Sequence, residues 1–408
     1  MSVSTEDLVL WVDRMMKERN ILIYKLDKCS GSTRGDGYLG EVNFIEVVVN
    51  SSDVGEEKVY NLVIKSANKS EIFRMKTPIQ EAYYREMFMY TKVFPMLNEF
   101  QKEYALEDPF DQYAKCYSTC QDDKREALIL KNLKSLGFEV HDRTIPQNLN
   151  HVLFVFKTYG KLHGTSLAMK TKKPALFKSM TKNMTDVLAT FIIQADMIGN
   201  FVEEFKGARE ILKKLGDSTL ATKFEGFEDQ IVEALTRMCF PDEPESVILH
   251  GDCWNNNMMF KYKDSNKTQP VSMCFIDFQL SKVASPILDL SYYLYTVADR
   301  SVLDNFDFLL QAYYRSLSDH LKHFGIIAED IVTFDALKSQ WKTYGKFGLA
   351  MAPFIIKIEL CQSDEVVDFA ESVEKGELKD ALNIQIKNQD EFERRIKDVM
   401  EHFAEEFL

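Results

Sequence analysis

Val247-Ile248-Leu249-His250-Gly251-Asp252-Cys253-Trp254-Asn255-Asn256-Asn257-Met258-Met259-Phe260 decides how this chain is read. Both ends are apolar and strand-like, and the polar middle carries a glycine, so two short strands flank a loop. A second apolar run, Met273-Cys274-Phe275-Ile276, ends at Asp277-Phe278-Gln279. A turn near Asp264 to Gln269 joins the runs into a hairpin that gathers Asp252, Asn257 and Asp277 around one small volume. Phosphoryl transfer needs such a trio. An amide and a carboxylate offer oxygen ligands to Mg2+, and a separate carboxylate orients or deprotonates the attacking hydroxyl. Each residue alone would read more simply as a strand cap or a turn. Together, at the ends of two strands, they point to chemistry.

Working outward, a kinase also needs a strand lysine for the α- and β-phosphates and a helical glutamate to pair with it. Val42 to Val49 reads as a strand, Asn50 to Glu57 as a turn, and Val59 to Lys65 as the returning strand. Lys65 closes the run Asn61-Leu62-Val63-Ile64, where packing alone would not place an amine. A helix follows, with Thr77 as its cap, Pro78 in its first position and Gln80 completing a capping box. It carries Glu86 at mid-length and is expected to stop near Phe94, ahead of Pro95. Glu81, Arg85 and Lys92 read as surface charges. Upstream, Gly35-Asp36-Gly37-Tyr38-Leu39-Gly40-Glu41-Val42 fits G-x-G-x-x-G-x-V, whose amides can approach phosphates closely. It precedes strands instead of opening a helix, so it is not a dinucleotide-binding turn.

At 408 residues and 45% hydrophobic, the chain can bury a large core in two lobes. An aromatic content of 12% favours compact packing over disorder. The net charge of −13, with no basic block, argues against nucleic acid or an anionic membrane as partner. Met1 to Asn20 reads as a capped amphipathic helix and not a signal peptide. Its apolar face is Leu8, Trp11, Val12, Met15 and Met16. No uncharged apolar run reaches the roughly 18 residues a membrane span requires. Seven scattered cysteines suit a reduced, cytoplasmic protein, and Cys116 and Cys120 read as ordinary thiols in or beside a strand.

Apolar stretches at Tyr113 to Thr119 and Ala127 to Leu130 complete a β-rich first lobe, and Leu133 to Gly137 reads as a connector. Beyond it, Asn150 to Met169, Met184 to Leu215, Phe227 to Cys239, Phe306 to Phe324 and Glu391 to Phe407 carry helical spacing. The expected fold is α+β and bilobal: a nucleotide-phosphate-binding lobe over residues 1–132 and a larger helical lobe over 133–408, with the ligand in the cleft between them. His163 reads as a packed or hydrogen-bonded core histidine, and His250 as packed within the loop. Met258-Met259 reads as strand core, and Trp254 suits either the core or the flank of a substrate.

These motifs resemble the ecdysteroid kinase-like family, within the aminoglycoside phosphotransferase and choline kinase superfamily of protein-kinase relatives. His250 to Phe260 is similar to that family's HGD-x-W-x-N-N-x-M-F, and Ile276 to Gln279 to its I-D-F-Q. Ser285-Pro286-Ile287-Leu288-Asp289-Leu290 resembles its P-x-x-D-L segment, and Glu86 with Tyr90 its E-x-x-x-Y stretch. The resemblance runs from about Lys28 to Tyr295 and implies a protein-kinase-like fold. It implies that Asp252 is the catalytic acid/base, that Asn257 and Asp277 bind Mg2+, and that Asp289 braces the catalytic loop. Leu130-Lys131-Asn132 stands where relatives usually show an acidic E-D-L. Adenine is read there mainly through backbone groups of residues such as Leu130 and Asn132, and the departure leaves ATP and GTP both open.

The expected function is transfer of the ATP γ-phosphate to a hydroxyl of a small molecule. The resemblance suggests an ecdysteroid or other steroid-like or xenobiotic alcohol, with no protein partner implied. A choline- or ethanolamine-type kinase would instead need an acidic or aromatic cage for its cation. A non-catalytic lipophile-binding pseudokinase would be expected to break the Lys65, Asp252, Asn257, Asp277 set, which is whole.

Overall fold

The computed structural model describes residues 3–31, 39–50, 57–263, 265, 267–362, 369–376 and 386–408. Five antiparallel strands open the chain: β1 (Lys25–Gly31), β2 (Gly40–Asn50), β3 (Glu57–Ala67), β4 (Cys116–Cys120) and β5 (Ala127–Lys131), in the order β1-β2-β3-β5-β4. The alternation along β3 sets the lobe's two faces. Tyr60, Leu62 and Ile64 are buried on one side. There they share an apolar cluster with Trp11, Val12, Met15 and Met16 of the helix Thr5–Lys17, which Ser4 caps through the Asp7 N–H. Asn61, Val63 and Lys65 therefore point the other way, toward the helical lobe.

The chain leaves the sheet at Asn132 through a single 3-10 turn, Leu133–Leu136, closed by Gly137 at φ 85°. Then come β6 (Phe138–Val140), β7 (Val247–Ile248), β8 (Met258–Tyr262), β9 (Pro270–Phe275) and β10 (Val283–Ala284). They form one sheet in the order β6-β8-β9 and a pair, β7 with β10. Helices Leu149–Lys172, Ile287–Val297, Phe306–Lys322, Lys346–Leu360 and Gln389–Phe407 surround them. The fold is α+β and bilobal. Its main core is continuous across the lobes: Phe73, Ile79 and Tyr83 of the first lobe belong to the same buried cluster as Leu249, Phe278 and Tyr292 of the second. No helix among the described residues is long and apolar enough to cross a membrane.

Several local expectations fail for identifiable reasons. Thr77 does not cap the helix after it; its hydroxyl donates to Phe73 O at 2.7 Å and closes a preceding short helix, Glu71–Lys76. The next helix starts at Ile79, and Gln80 hydrogen-bonds Tyr84 and Glu126 instead of completing a box. Pro95 does not end it either. Ile79–Phe88 passes through a π turn, Met89–Val93, into the helix Phe94–Glu103, and the register shift absorbs the proline's missing N–H. Met184 to Leu215 is not one helix: Val187–Gln194 and Ile198–Lys214 meet at Asp196, whose φ of 53° breaks helical geometry.

Candidate active site

The loop His250–Asn257 hangs from β7 and is fixed from behind. Leu249 N–H donates to Lys282 O at 2.8 Å, extending the β7–β10 pair. Gly251 has φ 88°, and a Cβ there would lie 2.2 Å from Leu280 O, so conformation and space both demand glycine. Asp289, at the start of the helix Ile287–Val297, is 1% exposed. It accepts from His250 N–H at 2.7 Å, Gly251 N–H at 3.0 Å, Cys253 Sγ at 3.0 Å and His163 Nε2 at 3.3 Å. Burial alone would raise its pKa; the hydrogen bond from His163, with the His250 and Cys253 contacts, outweighs that and holds it below the ordinary value, so it stays ionised. His250 accepts the Asp252 N–H at Nδ1, 3.2 Å away, so its proton sits on Nε2, which reaches Ile276 O at 2.9 Å. Burial lowers its pKa, consistent with a neutral ring.

Asp252 comes off this braced loop with a partly exposed edge at the cleft. Asn257 Nδ2 donates to its Oδ2 at 2.8 Å and to its main-chain carbonyl at 3.0 Å. Tyr292 Oη donates to Oδ1 at 3.3 Å. Burial first, and the negative charge of Asp277 second, push the Asp252 pKa up to about 7. Asn257 uses its amide nitrogen for both bonds, which leaves its carbonyl oxygen to another partner.

Asp277 follows β9 with φ 67°, a left-handed conformation uncommon outside glycine. Ile276 N–H donates to Asn257 O at 3.1 Å, which ties the two acidic-loop segments together. From this position Asp277 meets Lys65 Nζ at 2.6 Å across the cleft. Lys65 also pairs with Glu86 at 2.7 Å and donates to Gln279 Oε1 at 3.4 Å. Burial would lower the Lys65 pKa, but the Asp277 and Glu86 carboxylates reverse this and hold it above the ordinary value. Glu86 is 1% exposed; burial raises its pKa to about 7 against the opposing pull of Lys65. Phe278, between Asp277 and Gln279, packs edge-on to Phe94 with ring centroids 4.7 Å apart and lies 4.6 Å from the His250 ring.

Lys65, Glu86, Asp252, Asn257 and Asp277 thus converge. Gly35 and Gly37 lie outside the described residues. Gly40 opens β2, where a Cβ would meet Ser66 O at 2.1 Å and Tyr83 Oη at 2.3 Å, so close packing demands that glycine. Leu130 is buried in β5 opposite Val63. Asn132 turns inward: its N–H donates to Asn61 O at 3.0 Å and its side chain caps the Leu133–Leu136 turn. His163 is a hydrogen-bonded core residue, joined to Tyr313 at 3.0 Å as well as to Asp289. Trp254 is buried.

Arg85 is not a surface charge. It is 6% exposed, and its guanidinium is spent on main-chain carbonyls of the helical lobe. Burial pushes its pKa down to about 10, which leaves it charged. Sequence reading also left out Tyr292 and Gln279; the glutamine stood inside a quoted motif, whereas nothing local marks Tyr292.

A lysine–glutamate pair on one lobe facing Asp, Asn and Asp on the other defines the two-lobed, kinase-like fold. The chain belongs to the ecdysteroid kinase-like family, whose family model matches residues 34–326 and so includes every residue of this cluster. Curated proteins yield no sequence match. Among solved structures it is similar to a GDP complex of an aminoglycoside 2'-phosphotransferase-IIIa mutant, with 10% identity, 97% of each chain covered and a TM-score of 0.41. It is also similar to a glucosamine kinase in complex with glucosamine, ADP and inorganic phosphate, with 10% identity, 94% of this chain and 99% of that one covered, and a TM-score of 0.29.

Proposed function

We propose that the protein is an ATP-dependent small-molecule kinase that phosphorylates a hydroxyl of a lipophilic alcohol, a steroid-like or xenobiotic compound. One observation carries this reading: the Lys65–Asp277 contact of 2.6 Å, which joins the phosphate-binding lysine of one lobe to the metal-type aspartate of the other beside Asp252. Residues 1–132 serve as the nucleotide lobe in this reading, and residues 133–408 carry the catalytic loop and acceptor site.

Lys65, kept in place by Glu86, orients the α- and β-phosphates. The Asn257 carbonyl and the Asp277 carboxylate are hard oxygen donors that suit Mg2+, and the cation already beside Asp277 is a lysine ammonium. Bound there, Mg2+ supplies neutralisation of charge on the phosphates. Asp252 accepts the acceptor hydroxyl's proton at a carboxylate oxygen, held by Asn257 and Tyr292. A pKa raised to about 7 makes it a better base than an ordinary aspartate while leaving it largely ionised just above neutrality.

The family match favours a lipophilic acceptor. Tyr292 packs edge-on to Phe347, with ring centroids 5.8 Å apart. Among the described residues, the carboxylates Asp186 and Glu359 are paired with Lys282 and Arg395, at 2.6 and 3.0 Å. Incubation with Mg·ATP and a panel of steroid, choline, sugar and phenolic alcohols, read by mass spectrometry, tests the reading. A phosphorylated steroid or phenolic product is expected; a product from choline or sugars alone overturns the acceptor class, and no product from any overturns the activity.

A further inference from the structure

The residue next to Glu86 does work that phosphate binding alone does not call for. Arg85 Nη1 donates to Thr185 O at 3.0 Å and to Ser281 O. Its Nη2 reaches Asn183 O at 3.2 Å and Thr185 Oγ1 at 3.4 Å. Every one of these acceptors belongs to the helical lobe, on two segments. Residues 183–186 lead into the helix Val187–Gln194, and Ser281 lies two residues past Gln279. The two segments are themselves joined, because Asp186 pairs with the buried Lys282 at 2.6 Å while capping that helix through Ala189 N–H at 3.0 Å.

Burying a guanidinium is costly unless its donors are satisfied, and a helix surface offers cheaper places for a charge. The acceptors are four oxygens shared between Nη1 and Nη2, which suits the fork of arginine and not the point charge of lysine. Flanking contacts run in the same direction: Lys76 Nζ donates to Val373 O at 3.0 Å, and Gln194 Nε2 to Met75 O at 3.0 Å. The helix Ile79–Phe88 is therefore anchored to the opposite lobe by its own side chain, one residue before the glutamate that holds Lys65.

We propose that Arg85 is a positioning residue for nucleotide binding: it latches the Glu86-bearing helix onto residues 183–185 and Ser281 of the helical lobe, and so fixes Lys65 at its distance from Asp277. This rests on the reading of Lys65 and Glu86 as the phosphate-orienting pair. The test titrates Mg·ATP calorimetrically into the full-length wild type, R85Q, R85K, E86Q and R85Q/E86Q. R85Q is expected to weaken Mg·ATP about tenfold and R85K to recover only part of that, while the double variant stays within about twofold of E86Q because both residues act through one contact. A purely structural arginine would lower the unfolding midpoint without changing Mg·ATP affinity, or would give losses that multiply with E86Q; either result overturns the proposal. If R85Q does not fold, R85K decides alone, and wild-type affinity in R85K overturns it.

A wild type that binds no Mg·ATP refutes the nucleotide reading and leaves the latch to amide exchange. Faster exchange over Ile79–Phe88 in R85K or R85Q, with Ile287–Val297 unchanged, then supports it, and unchanged exchange in Ile79–Phe88 overturns it.

Discussion

The Asp252 loop and the Lys65–Glu86 pair face each other across one cleft, yet different physics holds each. The loop His250–Asn257 is fixed within a single lobe, by a glycine that admits no side chain and by a buried carboxylate that accepts two successive amides. The lysine side is fixed by charges from both lobes, Glu86 from one and Asp277 from the other. The first arrangement depends on one lobe alone, and the second on both. The loop that carries Asp252 is thus held in place by contacts within its own lobe. On the lysine side, Asp277 is paired with Lys65, so in the proposed reading a bound Mg2+ would compete with the ammonium for that carboxylate.

Breaking each half should expose this difference. Asp252→Asn is expected to lower kcat by about 10^3-fold, the loss of a positioned base. It should not lower the calorimetric unfolding midpoint at pH 8, because burial penalises the charge it removes. A variant running at the wild-type rate breaks the role assigned to Asp252. Asp289→Ala strands the His250 and Gly251 amides in a buried site. Denaturant titration should show about 3 kcal/mol of lost stability, with kcat down about 100-fold through a misplaced Asp252.

The lysine side should behave differently. Glu86→Gln should raise the KM for ATP by about tenfold while changing stability by less than about 1 kcal/mol, since Lys65 keeps Asp277 and the lost carboxylate was itself penalised by burial. Equal losses of stability in Asp289→Ala and Glu86→Gln would erase the contrast.

A pH titration sharpens it further. With the Asp252 pKa raised to about 7, the basic form disappears as pH falls through that value, and kcat/KM should drop about tenfold per pH unit below it. The stability consequence has the opposite direction. The folded state holds this proton more tightly than the unfolded chain, so the contribution favours folding at acidic pH and is lost as pH rises through about 7. Tyr292→Phe, which deletes a hydrogen bond to the carboxylate, should move the acidic limb upward by less than about one unit.

Much of this was legible in the sequence because it is local. The Asp252–Asn257 spacing sits on one loop, the apolar alternation around Lys65 assigns its face, and the Ile276–Gln279 wording follows directly from a strand. What escaped depends on partners far along the chain. Arg85 looks like any helical charge, and its acceptors are carbonyls, which leave no trace in residue type. Pro95 carries a strong stop signal, overridden by a π turn that only the packing of Tyr90 and Phe94 against Phe278 makes worthwhile. Asp196 gives no warning that it will adopt a positive φ inside an apolar-periodic stretch.

Asp289 also bears on how the chain acquires its site in time. The amide of His250 finds its acceptor 39 residues downstream, and that of Gly251 38 residues downstream. During synthesis from the N-terminus, Asp252 and Asn257 therefore leave the ribosome well before the carboxylate that shapes their loop. Asp277 likewise precedes it. Until the segment from Ile287 onward docks, the His250 and Gly251 amides lack the acceptor that braces their loop. The loop's native shape therefore requires a contact between segments some 38 residues apart, and not only the strands that carry the motif.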